Sequence, residues 1–246
     1  MGRGSLPVAS LLIAFALLWA AAPALGAPSW RAYRDAVARW HKPTPGRQAP
    51  VDEAGRPKLV LVSLNSGESV ELPALGDEGG FRVQDLERAT WLLRDLRAGR
   101  THPVEPALLD RVYQAQRHFG AQEVRVVSGY RAPGARGSGN HGRGRAMDLV
   151  LPGVSDRDLA AWAKQQGFAG VGVYPAGGYC HVDVRERSHF WVDRSGPGQR
   201  GREIPVDRRQ AQQADEEARK KGKRPVPAYV LPSSKGDAGE GGEEHE

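Results

Sequence analysis

The sequence is nearly devoid of cysteine: Cys180 is the only one. An intramolecular disulfide is therefore excluded, as is every zinc module built from several thiolates. The fold must be held by apolar packing, or by a metal bound through other side chains. Aromatic residues make up only 7%, and they form no basic, aromatic-interleaved patch of the RNA-binding kind. A helix-turn-helix pattern is lacking too, so nucleic acid is not an expected partner. The excess of Lys and Arg, a net charge of +6, suits an anionic wall or membrane surface instead. No internal repeat is present. What the chain does have is 31 Gly and 18 Pro in 246 residues: many turns, and enough length for one medium domain with its own core.

The two ends differ from the middle. Arg3 precedes an almost wholly apolar run from Leu6 to Ala22, followed by the small-x-small sequence Ala24-Leu25-Gly26. That is the anatomy of a secretory signal peptide, residues 1–26, with cleavage before Ala27. The run contains Pro7 and Ser10 and is short for a span of about 20 residues, which disfavours an uncleaved anchor. No cysteine at the cleavage point means no lipoprotein anchor. A periplasmic or secreted protein without a stable membrane span is expected. Residues 27–57 read as an N-terminal extension. Residues 194–246 read as a charged, largely disordered tail, in which 207–224 could form a polar helix without an apolar face.

Residues 58–193 read as the folded domain. Lys58 to Leu64 predicts a strand, Asn65-Ser66-Gly67 a turn, and Glu68 to Leu72 a return strand. Apolar periodicity predicts helices over 84–97 and 106–119. Strands are predicted at 123–127, 147–151, 170–174 and 178–184. Between the second and third of these, Ser155 can cap a helix whose third residue is Asp158, close to a capping box. The expected class is α+β: a small antiparallel sheet with flanking helices.

The chemistry concentrates between Ser128 and Asp183. Ser128-Gly129-Tyr130-Arg131 leads into a glycine-rich loop, then His141-Gly-Arg-Gly-Arg-Ala-Met-Asp148, and later His181-Val182-Asp183. Two His and one carboxylate can hold a catalytic zinc and leave the fourth position to water. By the two-residue strand period, Tyr179, His181 and Asp183 share one face, with Cys180 on the other. Cys180 is therefore rejected as nucleophile or ligand.

Ser-Gly-Tyr-Arg, His-x-x-Gly-x-Ala-x-Asp and His-x-Asp, in that order, resemble the zinc D-Ala-D-Ala carboxypeptidase superfamily, with its lysostaphin-type and hedgehog-type relatives. Within it the chain looks most like the YcbK-like, MepK-type murein endopeptidases. Leu93-Arg94-Asp95, the stretch from Glu105 to Asp110, and Gly170-Val-Gly-Val-Tyr-Pro175 ahead of Tyr179-Cys-His-Val-Asp183 extend the resemblance over about 58–193. It implies a zinc site in a cleft on the sheet, with His141, Asp148 and His181 binding one Zn2+ per chain. Arg131 would neutralise a substrate carboxylate or the developing oxyanion, or else only pin its loop through an ion pair. Many relatives carry an acid three positions before the last His ligand, where this chain has Gly178. Asp183 is then either the general base or the group that orients the His181 imidazole. Tyr179 is a lesser candidate, as a hydrogen-bond donor to the oxyanion. Arg136 and Arg143 add positive charge near the cleft mouth.

The function expected from these features is zinc-activated hydrolysis of peptide cross-links or stem peptides in peptidoglycan, by a monomer. Two alternatives stand beside it: a non-catalytic zinc module that binds wall or protein ligands, and a dipeptidase for small D,D substrates, which export argues against.

Overall fold

The computed structural model describes residues 29–46, 48–134 and 139–227. The expected signal peptide, Arg136 and the last stretch of the expected tail lie outside them. In chain order the elements are α1 (Trp30–Trp40), β1 (Lys58–Ser63), β2 (Ser69–Pro73), α2 (Val83–Leu92), α3 (Pro106–Phe119), β3 (Val124–Ser128), a 3-10 turn (His141–Arg143) and β4 (Ala146–Val150). There follow α4 (Asp156–Gln165), β5 (Ala169–Tyr174), β6 (Tyr179–Val184), β7 (His189–Asp193), β8 (Glu203–Pro205) and α5 (Arg208–Lys220).

The class is α+β, but the sheet is neither small nor purely antiparallel. Eight strands run in the order β2-β1-β3-β4-β6-β5-β7-β8. The β1–β3 and β5–β7 pairs are parallel and the others antiparallel. The expectation fails because β7 and β8 carry little strand signal in the sequence, and because α2 and α3 cross over between β1 and β3 and make that pair parallel. A strand that returns beside β5 after the β5–β6 hairpin must run parallel to it.

Local signals explain most boundaries. The Ser155 hydroxyl accepts from the Asp158 N–H and caps α4 as its sequence predicts. Pro106 at the first turn opens α3. Helix α2 stops at Leu92 rather than continuing to 97. The Asp95 carboxylate accepts from the Arg97, Ala98 and Ala132 N–H groups, and the Leu93 carbonyl accepts from the Tyr130 N–H. A turn-forming Asp thus outcompetes the helix and ties it to the segment carrying Arg131.

The core includes Leu59, Leu61, Leu108, Leu109, Val112, Tyr113, Leu149, Cys180, Val182, Val184 and Phe190. It lies between the sheet and helices α3 and α4. The tail is a second correction: its first part is built into this core. Helix α5 does have a buried stripe, made of alanines. Ala211 and Ala218 are buried, and Ala214 packs against the core. Small residues at three- and four-residue spacing let a charged helix approach closely, a pattern hidden by the surrounding Arg, Gln, Glu and Lys. Buried Asp215 on the same stripe accepts from the Phe168 and Ser188 N–H groups and from the Ser188 hydroxyl. The N-terminal extension likewise supplies a helix, α1, capped by Ser29.

Candidate active site

The site lies on the sheet face opposite the main core, over β4, β6, β5 and β7. Register sets it: Asp148 on β4 lies directly opposite His181 on β6, and His181 opposite Gly172 on β5. The 3-10 turn just before β4 delivers His141. The three side chains are all buried and form the cluster able to hold a metal ion among the described residues.

Three atoms converge. His181 Nδ1 lies 2.9 Å from Asp148 Oδ1, His141 Nε2 lies 3.3 Å from the same oxygen, and the two ring nitrogens are 3.1 Å apart. Ligands of a tetrahedral zinc at 2.0–2.1 Å are about 3.3 Å from one another. The triangle therefore fits such an ion. The other nitrogen of each ring is occupied from behind. His141 Nδ1 lies 2.6 Å from the Gly129 carbonyl and His181 Nε2 lies 3.1 Å from Asp183 Oδ2. Protons held on those outer nitrogens leave the inner lone pairs free to bind a cation.

The electrostatics suit a cation as well. Burial alone would push the Asp148 carboxyl up, but the charge and hydrogen bonds of the two histidines and the charge of Arg131 outweigh it and hold the group well below the usual range. Burial likewise disfavours the His181 cation. The hydrogen bonds and charges of Asp148 and Asp183 win, and its pKa is pushed up to about 9. A bound metal would replace that proton as the positive charge the carboxylates require.

Asp183 is fully buried, and its carboxylate is saturated. It accepts from the Gly170 N–H at 2.8 Å, from Arg185 Nε at 2.7 Å and from Arg185 Nη2, besides facing His181. Burial raises its pKa, yet hydrogen bonds from Arg185 and His181 hold the carboxyl well below its ordinary value. It sits behind the imidazole, on the nitrogen that points away from the triangle. Of the two roles open in the sequence, this position suits orienting the ring and leaves no lone pair for a water's proton.

Arg131 ion-pairs with Asp148 Oδ2 and donates through Nε to the Ser128 hydroxyl at 2.9 Å. Its side chain is about half exposed, at 48%. It therefore pins the loop and also presents charge to the cleft. Tyr179 stacks on Tyr174 and does not line the cleft. Cys180 points into the core on the other face of β6, where burial pushes its thiol far up.

The cleft has a volume of about 370 Å3. Several lining residues escaped the sequence reading: Tyr174, Arg185, His189, Trp191 and Glu203. Trp191 packs its ring 5.0 Å from that of His181 and donates its indole N–H to the Tyr174 hydroxyl at 3.0 Å. Two β5 glycines make this possible. A Cβ on Gly172 would stand 2.4 Å from the Trp191 ring, and one on Gly170 would stand 2.2 Å from Asp183 Oδ2. Gly-Val-Gly on β5 is thus the bare floor over which β6 and β7 side chains lean. This alternation was the signal in the sequence.

Gly178 shows why no acid stands before His181. Its φ is +67°, and a Cβ there would lie 2.2 Å from Val37 Cγ1 on α1. Helix α1 is latched over this turn by Tyr33, whose hydroxyl donates to the Gly177 carbonyl at 2.8 Å, and by His41, 3.1 Å from the Gly178 carbonyl.

No solved structure matches the chain. Among characterised sequences, the peptidoglycan L,D-endopeptidase MepK of Escherichia coli (strain K12) is 28% identical over 148 residues, which cover 55% of this chain and 81% of that one. The probable peptidoglycan L,D-endopeptidase MepK of Haemophilus influenzae is 29% identical over 139 residues, covering 51% and 74%. The profile of the family described as peptidoglycan L,D-endopeptidase MepK spans residues 52–190, from just before β1 into β7 and across every element that carries the His–Asp–His triangle. On that span, more than half its length, the chain belongs to the MepK peptidoglycan L,D-endopeptidase family.

Proposed function

We propose that this chain is an extracytoplasmic, zinc-dependent peptidase that hydrolyses amide bonds in the peptides of peptidoglycan. The observation that carries this reading is the convergence of His141 Nε2, Asp148 Oδ1 and His181 Nδ1, in a cleft, within a chain of the MepK family. A bound zinc supplies Lewis acidity and a water acidified to a pKa of about 7.

The remaining steps belong to the protein. The Gly129 carbonyl and Asp183 hold a proton on the outer nitrogen of each histidine, so that both inner nitrogens can ligate once a metal displaces the further proton of His181. Trp191 and the glycine floor hold the His181 ring in place. Arg131 offers its guanidinium to a substrate carboxylate or to the oxyanion of the tetrahedral intermediate. Its ion pair with Asp148 pre-orients it for that task. The finer expectation, an L,D-peptide bond, follows from the name of the relatives. Location outside the cytoplasm follows from where peptidoglycan lies and from the N-terminal apolar run. No helix of the described residues is long and apolar enough to cross a membrane.

A non-catalytic zinc module is the rival reading, and one observation favours it: Val37 fills the place where an acid at position 178 would stand. Digestion of purified murein sacculi, with zinc and with a chelator, separates the two. Zinc-dependent release of new peptide ends, read by mass spectrometry, is the expected result. Zinc-loaded protein that binds sacculi and releases nothing would replace the peptidase by the binding module.

A further inference from the structure

Three carboxylates stand at or behind the cleft, and they are not equivalent. Asp148 and Asp183 are buried and saturated by histidines, arginines and a backbone N–H. Glu203, on β8, lines the same cleft, is exposed, and has no hydrogen-bond or ion-pair partner among the described residues. It lies beyond residue 190, where the family match ends.

Its position is costly to the fold. In the β7–β8 register Glu203 stands directly opposite Asp193. Like charges in that relation destabilise a sheet. Asp193 is buried, and its carboxylate accepts from the Ser195 N–H at 2.8 Å, so it offers Glu203 no relief.

Its position also excludes the chemical step. From β6, which carries His181, the sheet passes through β5 and β7 to β8. Three interstrand steps make about 14 Å between backbones. Glu203 therefore meets a part of the substrate away from the scissile bond. Arg131 and Arg185 line the cleft along with the histidine centre, so among the described residues Glu203 is its one unpaired negative group. The intervening floor is Tyr174, Trp191 and His189, aromatic faces able to support a cation or an alkyl chain.

We propose that Glu203 is a specificity-determining residue of this cleft, which binds a primary ammonium group on the peptide substrate. The proposal rests on the peptidase reading and extends it to a substrate feature. The Arg131 guanidinium and the outer carboxylate together select a peptide with a carboxylate near the scissile bond and an amine farther along.

The test uses the zinc-loaded full chain and cross-linked muropeptides that retain a free side-chain amine. Half the preparation is acetylated on that amine. Wild type is expected to favour the free-amine form by about fivefold in kcat/KM, the order of an exposed ion pair, with the difference in KM. Glu203→Gln should bring the ratio close to one, and Glu203→Asp should restore part of it. The melting temperature of Glu203→Gln should not fall, since a like-charge contact is removed. An unchanged ratio in Glu203→Gln, or an equal loss of kcat on both substrates, overturns the proposal. If wild type cleaves neither form, the peptidase reading fails. Calorimetric binding of the two forms then decides: a preference for the amine that Glu203→Gln abolishes sustains the proposal, and equal affinities overturn it.

Discussion

The two faces of β6 are both buried, yet they are held by different forces. Cys180, Val182 and Val184 enter the core beneath α3 and α4. There, stability comes from removing apolar surface from water and from close packing. His181 and Asp183 point the other way, into a layer where every polar atom needs a partner. They find Asp148, His141, Arg185 and the Gly170 N–H. The core face tolerates a change of shape at a graded cost. The site face is all or nothing, because removing one member leaves a buried charge unpaired.

Substitutions on the two faces should therefore fail differently. The largest effect is expected on the site face, from His181→Ala. It removes one corner of the triangle and should abolish zinc binding, with a loss of hydrolysis on the order of a thousandfold or more. Equilibrium dialysis with metal analysis, beside circular dichroism, checks that the metal goes while the fold stays. Retention of one zinc per chain in this variant would overturn the assignment of His181 as a ligand.

On the core face, Leu149→Ala deletes a fully buried side chain beside Cys180. A cost of about 2–5 kcal/mol is expected in denaturant unfolding. Well below the transition, its zinc stoichiometry should match wild type. A variant that lost zinc while still folded would show that the two faces are coupled more tightly than the contrast allows.

Asp183→Asn probes the layer behind the ligand. The amide can still meet His181 but cannot balance Arg185 or hold the ring's proton as strongly. Zinc affinity is expected to fall by about 10–100-fold. If Asp183 only orients the ring, activity at saturating zinc recovers most of its value. Loss of activity with saturated zinc would make Asp183 the proton acceptor after all.

How much of this was legible in the sequence depends on the kind of signal. Motifs with fixed order pointed to His141, Asp148, His181 and Arg131, and the structure places these side chains together, because Asp148 and His181 lie on strands whose period can be read and His141 and Arg131 on the loop between β3 and β4. Helices α3 and α4 were legible from apolar spacing and from Ser155. The flanks were not. Helix α5 buries alanines, which barely register against its charges, and α1 docks through Tyr33, Val37 and His41 onto a turn far away in sequence. Trp191 and Glu203 reach the cleft only because β7 returns parallel to β5 and β8 pairs with it. Such neighbours are set by topology, which local pattern does not encode.

The smallest effect tests one of those flanks. Gly178 has a left-handed backbone, and α1 closes over it with Val37. Gly178→Ala should cost about 1–2 kcal/mol for the backbone alone, plus the displacement of α1. Val37→Ala in the same chain removes the methyl groups that collide and should recover the second part only. Thermal unfolding of the two single variants and the double variant measures this coupling. Additive costs would mean that α1 is loosely held and that an acid could be accommodated before His181. A coupled pair would mean that α1 shapes the turn leading into β6, and that Gly178 is kept by packing against it rather than by the chemistry of the cleft.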